Sequence, residues 1–379
     1  MGKRLALVYS VLLLSGLLAD AQSIAHKLQA FLTAIPRPQR VEEFNAIPHL
    51  PPLNQGATLF CWSFSTSGFI ESEMQRLGLE PVRLSVFYPV SYLFMEKAKL
   101  YVRTRGQSRF GPGDLFSGVL DIIKDYGTMP AATYGGAKEE VPTNHAELYR
   151  ELEQYMTSVK ARAAWQEGPV LQRVQALLSK YLGKPPPTFT YKGKTFAPQT
   201  FLKEVVTLPW HEYVIITSFQ YAPFYQFTEL RVPDNWRHHN NYFNVPLTVF
   251  YESLKHAVSN GYSVAVDVDI SEPSYEITKS VAIIPDFDIP ATAISQEARE
   301  LRFNNGATTD DHLVQIVGYK KFGDEEWFLA KDSLPTAWEG DHKGYVFFHA
   351  SYIKLKVLAF LVHRDGVPAI KQRLPEKPG

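Results

Sequence analysis

The pattern of apolar and polar positions divides the chain into a helical first half and a β-rich second half. From Cys61 to Leu77, residues Phe64, Gly68, Ile70, Met74 and Leu77 fall roughly on one helical face; Gly78 stands where a C-cap belongs and Pro81 bars continuation. Residues 82–130 read as helices joined by loops, with a Gly/Pro turn in SRFGPGDLF and a helix in DLFSGVLDIIKDYG closed by Gly127. The stretch 143–183 is charged and periodic. Asn144 with Glu147 three residues on reads as a capping box, and GPVLQRVQALLSKYLG runs from Pro169 to Gly183 before KPPP breaks it. Residues 143–205 are therefore expected to be a helical insertion packed on the main body, with no visible chemistry.

From about residue 206 strands dominate. HEYVIITSF is β-rich. PLTVFYESLKHAVSNGYSVAVDVDI reads as a helix, an Asn260-Gly261 stop and a strand in which Val264, Val266 and Val268 share a face. HLVQIVGYKKFGDEEWFLAKDS and GYVFFHASYIKLKVLAFLVHRD complete the β-rich part near residue 365, and 366–379 are expected to be a tail draped on the surface or poorly ordered.

Composition narrows the function classes. Hydrophobics at 45% and aromatics at 13% suffice for one or two packed cores. With Lys+Arg and Asp+Glu both at 39, the chain has no electrostatic footprint for nucleic acid or an anionic membrane. The chain opens MGKR, runs apolar from Leu5 to Leu18 and reaches the small-x-small site Ala19-Asp20-Ala21. That is the pattern of a signal peptide over residues 1–21, giving a secreted or periplasmic protein that starts near Gln22. About 14 apolar residues are too few to span a bilayer. Residues 22–45 form an N-terminal segment, a short candidate for a propeptide, and 46–365 the main domain.

Export makes Cys61 informative, because the chain has one cysteine and cannot form an intrachain disulfide. A lone thiol in an oxidising place is either buried as a small hydrophobe or used. Cys61 stands in the first turn of its helix, where the macrodipole favours an anion. His238-His239 has no cysteine or carboxylate cluster at ligand spacing, so neither a metal nor a cofactor is expected.

A second position draws attention. His312 begins one β-run and Asp332 ends the next. Lys321-Phe322-Gly323 suits a three-residue hairpin loop with a G1 bulge at Gly323. That turn sets Lys320 opposite Asp324 and, carried down the ladder, His312 directly opposite Asp332. Opposed Cβ atoms lie about 4.5–5.5 Å apart, the separation at which a carboxylate orients an imidazole.

Gln55, then Cys61-Trp62 at a helix start, then a distant His312 strand and an orienting residue before GY follow the order of papain-like cysteine peptidases. More closely, the chain resembles the bleomycin hydrolase/aminopeptidase C branch of peptidase family C1. DLFSGVLDIIKDYGTMP, YLGKPPPTFTYKGKTFAPQTFLKEVV, NVPLTVFYESLKHAVSNGYSVAVDVDI and DHKGYVFF resemble successive segments of that branch, from about residue 45 to about 365. The resemblance implies an α+β, papain-like two-lobed fold: a helical lobe with the Cys helix, a β-barrel-like lobe with the His/Asp hairpin, and the helical insertion.

It also implies roles. Cys61 would be the nucleophile, His312 its general base and acid, and Asp332 the orienting residue. Gln55 and the Cys61 N–H would form the oxyanion hole. Gly111 and Gly113 would border the cleft beside substrate backbone; Trp62, placed with them as a substrate-binding candidate, is expected mainly to pack in the core. Two positions depart from the family: Asp332, in KDSLPTAW, stands where asparagine is usual, and Leu334 where tryptophan is expected, with Trp338 four residues on. The tail past Asp365 is short for a branch whose C-terminus enters its own cleft.

The expected function is a cysteine peptidase that hydrolyses peptide bonds through a thiolate–imidazolium pair and an acyl-enzyme, with aminopeptidase action as the narrower form. Its partner would be a peptide or protein substrate, and the sequence leaves the oligomeric state open. The alternative, motivated by Asp332 and Leu334, is a catalytically impaired pseudo-peptidase that binds peptides. A third reading makes Cys61 a buried structural residue of an unrelated enzyme.

Overall fold

The structure is a computed structural model and describes residues 23–135 and 144–374. The expected signal peptide, residues 1–21, lies outside the described residues, as do 375–379. The fold is mixed α+β. A small hairpin, β1 (Phe189–Tyr191) and β2 (Lys194–Phe196), sits in the insertion. The other strands are β3 (Tyr213–Thr217), β4 (Gln226–Thr228), β5 (Tyr242–Asn244), β6 (Val264–Val268), β7 (Tyr275–Glu276), β8 (Val281–Ala282), β9 (His312–Phe322), β10 (Glu325–Lys331), β11 (Tyr345–His349) and β12 (Val357–His363). They join in one sheet of order β4-β5-β3-β12-β6-β9-β10-β11-β8-β7, antiparallel except at β3–β5 and β8–β11.

The sheet centre is apolar on both faces. Ala265, Leu313 and Leu361 face the cluster that contains Cys61, Trp62 and the insertion residues Leu148, Leu152 and Leu177. Val264, Val266, Val268, Val314 and Phe360 face a second cluster built on the helix Leu247–Ser259. The shared face of Val264, Val266 and Val268 is therefore as the alternation predicts. Such two-sided burial explains why the central strands contain so few exposed positions.

The Cys helix runs Cys61–Arg76. Its expected one-sided face is not what packs it: 14 of its 16 residues are buried. The side against β9 is small and polar. Ser65 Oγ donates to the Val314 carbonyl at 2.8 Å, and Gln315 Nε2 donates to Ser72 Oγ at 2.8 Å. Between them a Cβ on Gly68 would lie 2.8 Å from Gln315 Oε1 and 2.9 Å from Lys331 Nζ. Gly68 thus lets the helix lie close on the β9–β10 ladder, which fixes Cys61 relative to His312.

Two local expectations shift. The insertion helix spans Ala146–Ala161 with His145 at the N-cap; Asn144 Oδ1 accepts from the Ala146 N–H, while Glu147 pairs with Arg150 instead of closing a capping box. The described part of the tail, to residue 374, is packed rather than draped. Val367, Ile370 and Leu374 recur at helical spacing and enter the second cluster, carried there by a short helix Pro368–Lys371. The N-terminal segment is likewise packed: Leu28, Leu32 and Phe44 join Trp327 and Phe347 in a third cluster, and the Trp327 indole N–H donates to the Pro36 carbonyl at 3.0 Å.

The hairpin register differs from expectation in an instructive way. The turn is the two residues Gly323-Asp324, with Phe322 paired to Glu325 and Lys320 opposite Trp327 rather than Asp324. Gly323, at φ +61°, takes the first turn position, which a II′ turn reserves for glycine. Carried down unbroken, this register would put His312 and Asp332 on opposite faces. A bulge intervenes: Leu329 pairs with Gly318 but Ala330 with Ile316, leaving Val317 as an extra residue. The extra residue restores the shared face, and its carbonyl accepts the Ile47 N–H at 2.7 Å. His312 and Asp332 end as diagonal neighbours, within reach of one another's side chains.

Candidate active site

No side chain caps the N-terminus of the Cys helix. Cys61 sits in its first turn, where backbone N–H groups lack intrahelical acceptors. The residue is 9% exposed.

His312 is 2% exposed, and its Nε2 lies 2.8 Å from Asp332 Oδ1. Asp332 receives two further donors: the Leu334 N–H at 2.8 Å on Oδ1 and the Tyr275 hydroxyl on Oδ2. Its own N–H donates to the Gly344 carbonyl, which anchors the carboxylate at the strand end. With Nε2 engaged, the second ring nitrogen remains for Cys61, which lies within hydrogen-bonding reach of the imidazole. The structure therefore brings three of the predicted residues into one chain of contacts: Cys61, His312 and Asp332.

The electrostatics follow from the partners. Burial alone would lower the His312 pKa, but the charge of Asp332, the charge of Cys61 and hydrogen bonds to both outweigh it and push it up to about 10. Burial would raise Asp332; His312, the Leu334 N–H and Tyr275 outweigh that and hold it below the usual carboxylate range. The site favours an imidazolium locked to a carboxylate, beside the sulfur.

Gln55 is tied to the same strand end. Its N–H donates to the Ser333 carbonyl and its Oε1 accepts from Ser333 Oγ, both at 2.7 Å, while its Nε2 donates to the Thr58 carbonyl at 2.9 Å. Ser333 thus couples Gln55 to the residue next to Asp332. The Gly111–Gly113 segment is clamped by its carbonyls: Lys97 Nζ donates to those of Gly111 and Gly113, and the Trp62 indole N–H to Pro112 at 3.0 Å. Trp62 itself is 1% exposed. Of the two departures, Leu334 serves Asp332 through its backbone, and Trp338 lies against Gly344, whose carbonyl takes the Asp332 N–H. His238 and His239 each face a different carboxylate, Glu229 and Asp121.

Sequence reading missed Tyr275, Ser333 and Lys97. It also missed a group of carboxyls: Asp267 on β6, Asp310 before His312, whose carboxyl faces that of Asp267, and Asp234, whose N–H donates to Asp310 Oδ2 at 3.3 Å. Asp267 could have been found, because an aspartate inside the run VAVDV sits in a strand whose every position is buried.

The molecule is a mixed α+β protein with one large sheet and a Cys–His–Asp contact chain at the ends of two of its central strands, β9 and β10. Its fold is shared with PepW from Lactobacillus rhamnosis HN001, a solved structure that matches at a TM-score of 0.67 and 17% identity, over 95% of this chain and 93% of that one. No protein-family model and no curated protein matches the chain. Among the described residues, no helix is long and apolar enough to cross a membrane.

Proposed function

We propose that the protein is a cysteine peptidase of the papain-like kind, with the two-lobed architecture and the bleomycin hydrolase-like affinity expected from its motifs. Cys61 attacks the peptide carbonyl as thiolate. His312 gives its proton to the leaving amine and then activates water to release the acyl group. Asp332 holds the ring and balances its charge. The Cys61 N–H and the Gln55 amide are assigned to the oxyanion, each such donor being worth about 2.7–4 kcal/mol in comparable sites. Gly111 and Gly113 are assigned to the cleft rim.

The observation that carries this reading is the single imidazole bonded to Asp332 on one side and within reach of the chain's one thiol on the other. The partners of Asp332, which are those of an orienting group, favour this reading over a pseudo-peptidase. Export of the mature chain from near Gln22 belongs to the same proposal and rests on the sequence of residues 1–21.

The test is a peptide library incubated with the wild type and with Cys61→Ala, with product termini read by mass spectrometry. Cleavage by the wild type alone supports the reading, and single residues released from N-termini support the aminopeptidase form. Cleavage that persists in Cys61→Ala rejects it. Binding without cleavage by either protein favours the peptide-binding module.

A further inference from the structure

We propose that Lys97 is a positioning residue for substrate binding: its buried ammonium holds the carbonyls of the Gly111–Gly113 turn inside the protein and leaves the Gly113 N–H to the peptide. The proposal rests on the assignment of that turn to the cleft rim in the peptidase reading above, and adds the side chain that shapes it.

Lys97 lies on the helix Phe87–Arg103 and is 2% exposed. Burying an ammonium is costly unless its protons find acceptors. Among the described residues Lys97 forms no ion pair. Its Nζ donates instead to the Gly111 carbonyl at 2.8 Å and to the Gly113 carbonyl, and it stands over the Trp236 ring, 5.2 Å from the centroid. The carbonyl between them, that of Pro112, takes the Trp62 indole N–H at 3.0 Å. All three carbonyls of the turn are thus engaged within the protein. Pro112 has no N–H to give. Gly113 is partly exposed, and its N–H has no acceptor among the described residues. What the turn keeps for a peptide is a donor rather than an acceptor.

Two further contacts fix where the turn sits. Trp62 follows Cys61 in the first turn of its helix, so the bond to Pro112 ties the turn to the nucleophile's own helix. From another side the Asp234 carboxyl lies against Gly113, so close that a Cβ there would come within 1.8 Å of Oδ2, and Arg109 stands 3.9 Å from Asp234 Oδ1. The turn is held by its carbonyls and walled by Asp234, and Gly113 has no room for a side chain.

The charged groups around Lys97 are Asp114 and Asp234, which favour its charge, and Arg109 and Arg237, which oppose it. Burial outweighs the two carboxyls and lowers the Lys97 pKa to about 8. Asp114 takes the Leu115 N–H at 2.8 Å and the Trp236 indole N–H at 3.2 Å, and burial pushes it up to about 6. As pH rises through about 8, the ammonium becomes a neutral amine, a weaker donor to the two carbonyls. The His312 pKa of about 10 keeps the imidazole charged over that range. Peptide binding at the rim should therefore loosen near pH 8 while the chemistry at Cys61 persists.

The experiment measures kcat and KM from about pH 6 to about pH 9.5 with the best-cleaved peptide of the library above. In the wild type KM is expected to rise about tenfold across pH 8, the worth of a hydrogen bond from a charged group, while kcat changes less than about twofold. Lys97→Met should show the raised KM at every pH. Lys97→Arg, which keeps its charge throughout, should show a KM that does not rise across pH 8. The wild-type profile and Lys97→Arg decide the matter even where Lys97→Met does not fold. A wild-type KM that stays flat through pH 8, or the same rise in Lys97→Arg, overturns the role of Lys97 alone, as does a Lys97→Met protein that loses kcat with KM unchanged. A library in which no peptide is cleaved overturns the peptidase reading, and the role of Lys97 with it.

Discussion

Asp332 and Asp267 are both fully buried within the same site, yet their surroundings push them in opposite directions. Asp332 accepts from His312, the Leu334 N–H and Tyr275 and is held ionised. Asp267 faces the Asp310 carboxyl, with which it can bond only by sharing a proton, and burial first drives it toward its neutral form. Burial costs each the same kind of solvation; the donors decide the outcome. The first arrangement fixes a charge against the His312 ring. The second favours a carboxyl that keeps its proton.

The largest effect expected from breaking this contrast is loss of turnover in His312→Ala, by at least about a thousandfold in kcat with peptide binding retained. Next is Asp332→Ala, which leaves His312 buried without its partner and should cost about 3–5 kcal/mol in urea unfolding at pH 6. Tyr275→Phe removes one donor to the charged carboxylate, worth about 1.5–3 kcal/mol in the same assay. A loss below about 0.5 kcal/mol would mean that Tyr275 does not hold Asp332.

The two aspartates also predict opposite pH signatures. His312 has a folded pKa of about 10 against an ordinary 6.5, so its contribution is complete below pH 6.5 and is lost as pH rises through about 10. Asp332 has a lowered folded pKa, so its contribution is present above pH 3.8 and is lost as pH falls through the folded value. The stability advantage of the wild type over Asp332→Asn should therefore be greatest between these limits and fade toward pH 10. Asp267 has a raised folded pKa, so its ionisation opposes folding progressively above pH 3.8. Asp267→Asn should consequently be neutral or stabilising at pH 8, on the order of 1 kcal/mol, and less favourable at pH 4. A loss of stability at pH 8 would place a donor on Asp267 and erase the contrast.

How far the sequence reveals these features follows from what each depends on. The Cys helix is coded locally: a first-turn cysteine, Gly78 at +72° as its stop, and the Gln55–Cys61 spacing are all contiguous. The face it presents was less legible, because Ser65, Gly68 and Ser72 look polar or neutral until β9 is laid against them. The meeting of His312 and Asp332 was foreseen, but through a register the molecule does not use. The turn is one residue shorter than expected, and the compensating bulge at Val317 depends on an N–H from Ile47, far away in the chain. Tyr275 comes from a two-residue strand with no pattern of its own. Local chemistry was readable; register and cross-chain hydrogen bonds needed the fold.

The central claim is that His312, steadied by Asp332, makes Cys61 the nucleophile. It is tested most directly by acid-quenching the protein in the first turnover of a peptidyl ester and locating the acyl group by mass spectrometry. The predicted result is one acyl adduct on the segment that contains Cys61, present in the wild type and absent from His312→Ala. Hydrolysis with the acyl group on any other residue, or an adduct at Cys61 that forms equally well without His312, would contradict it.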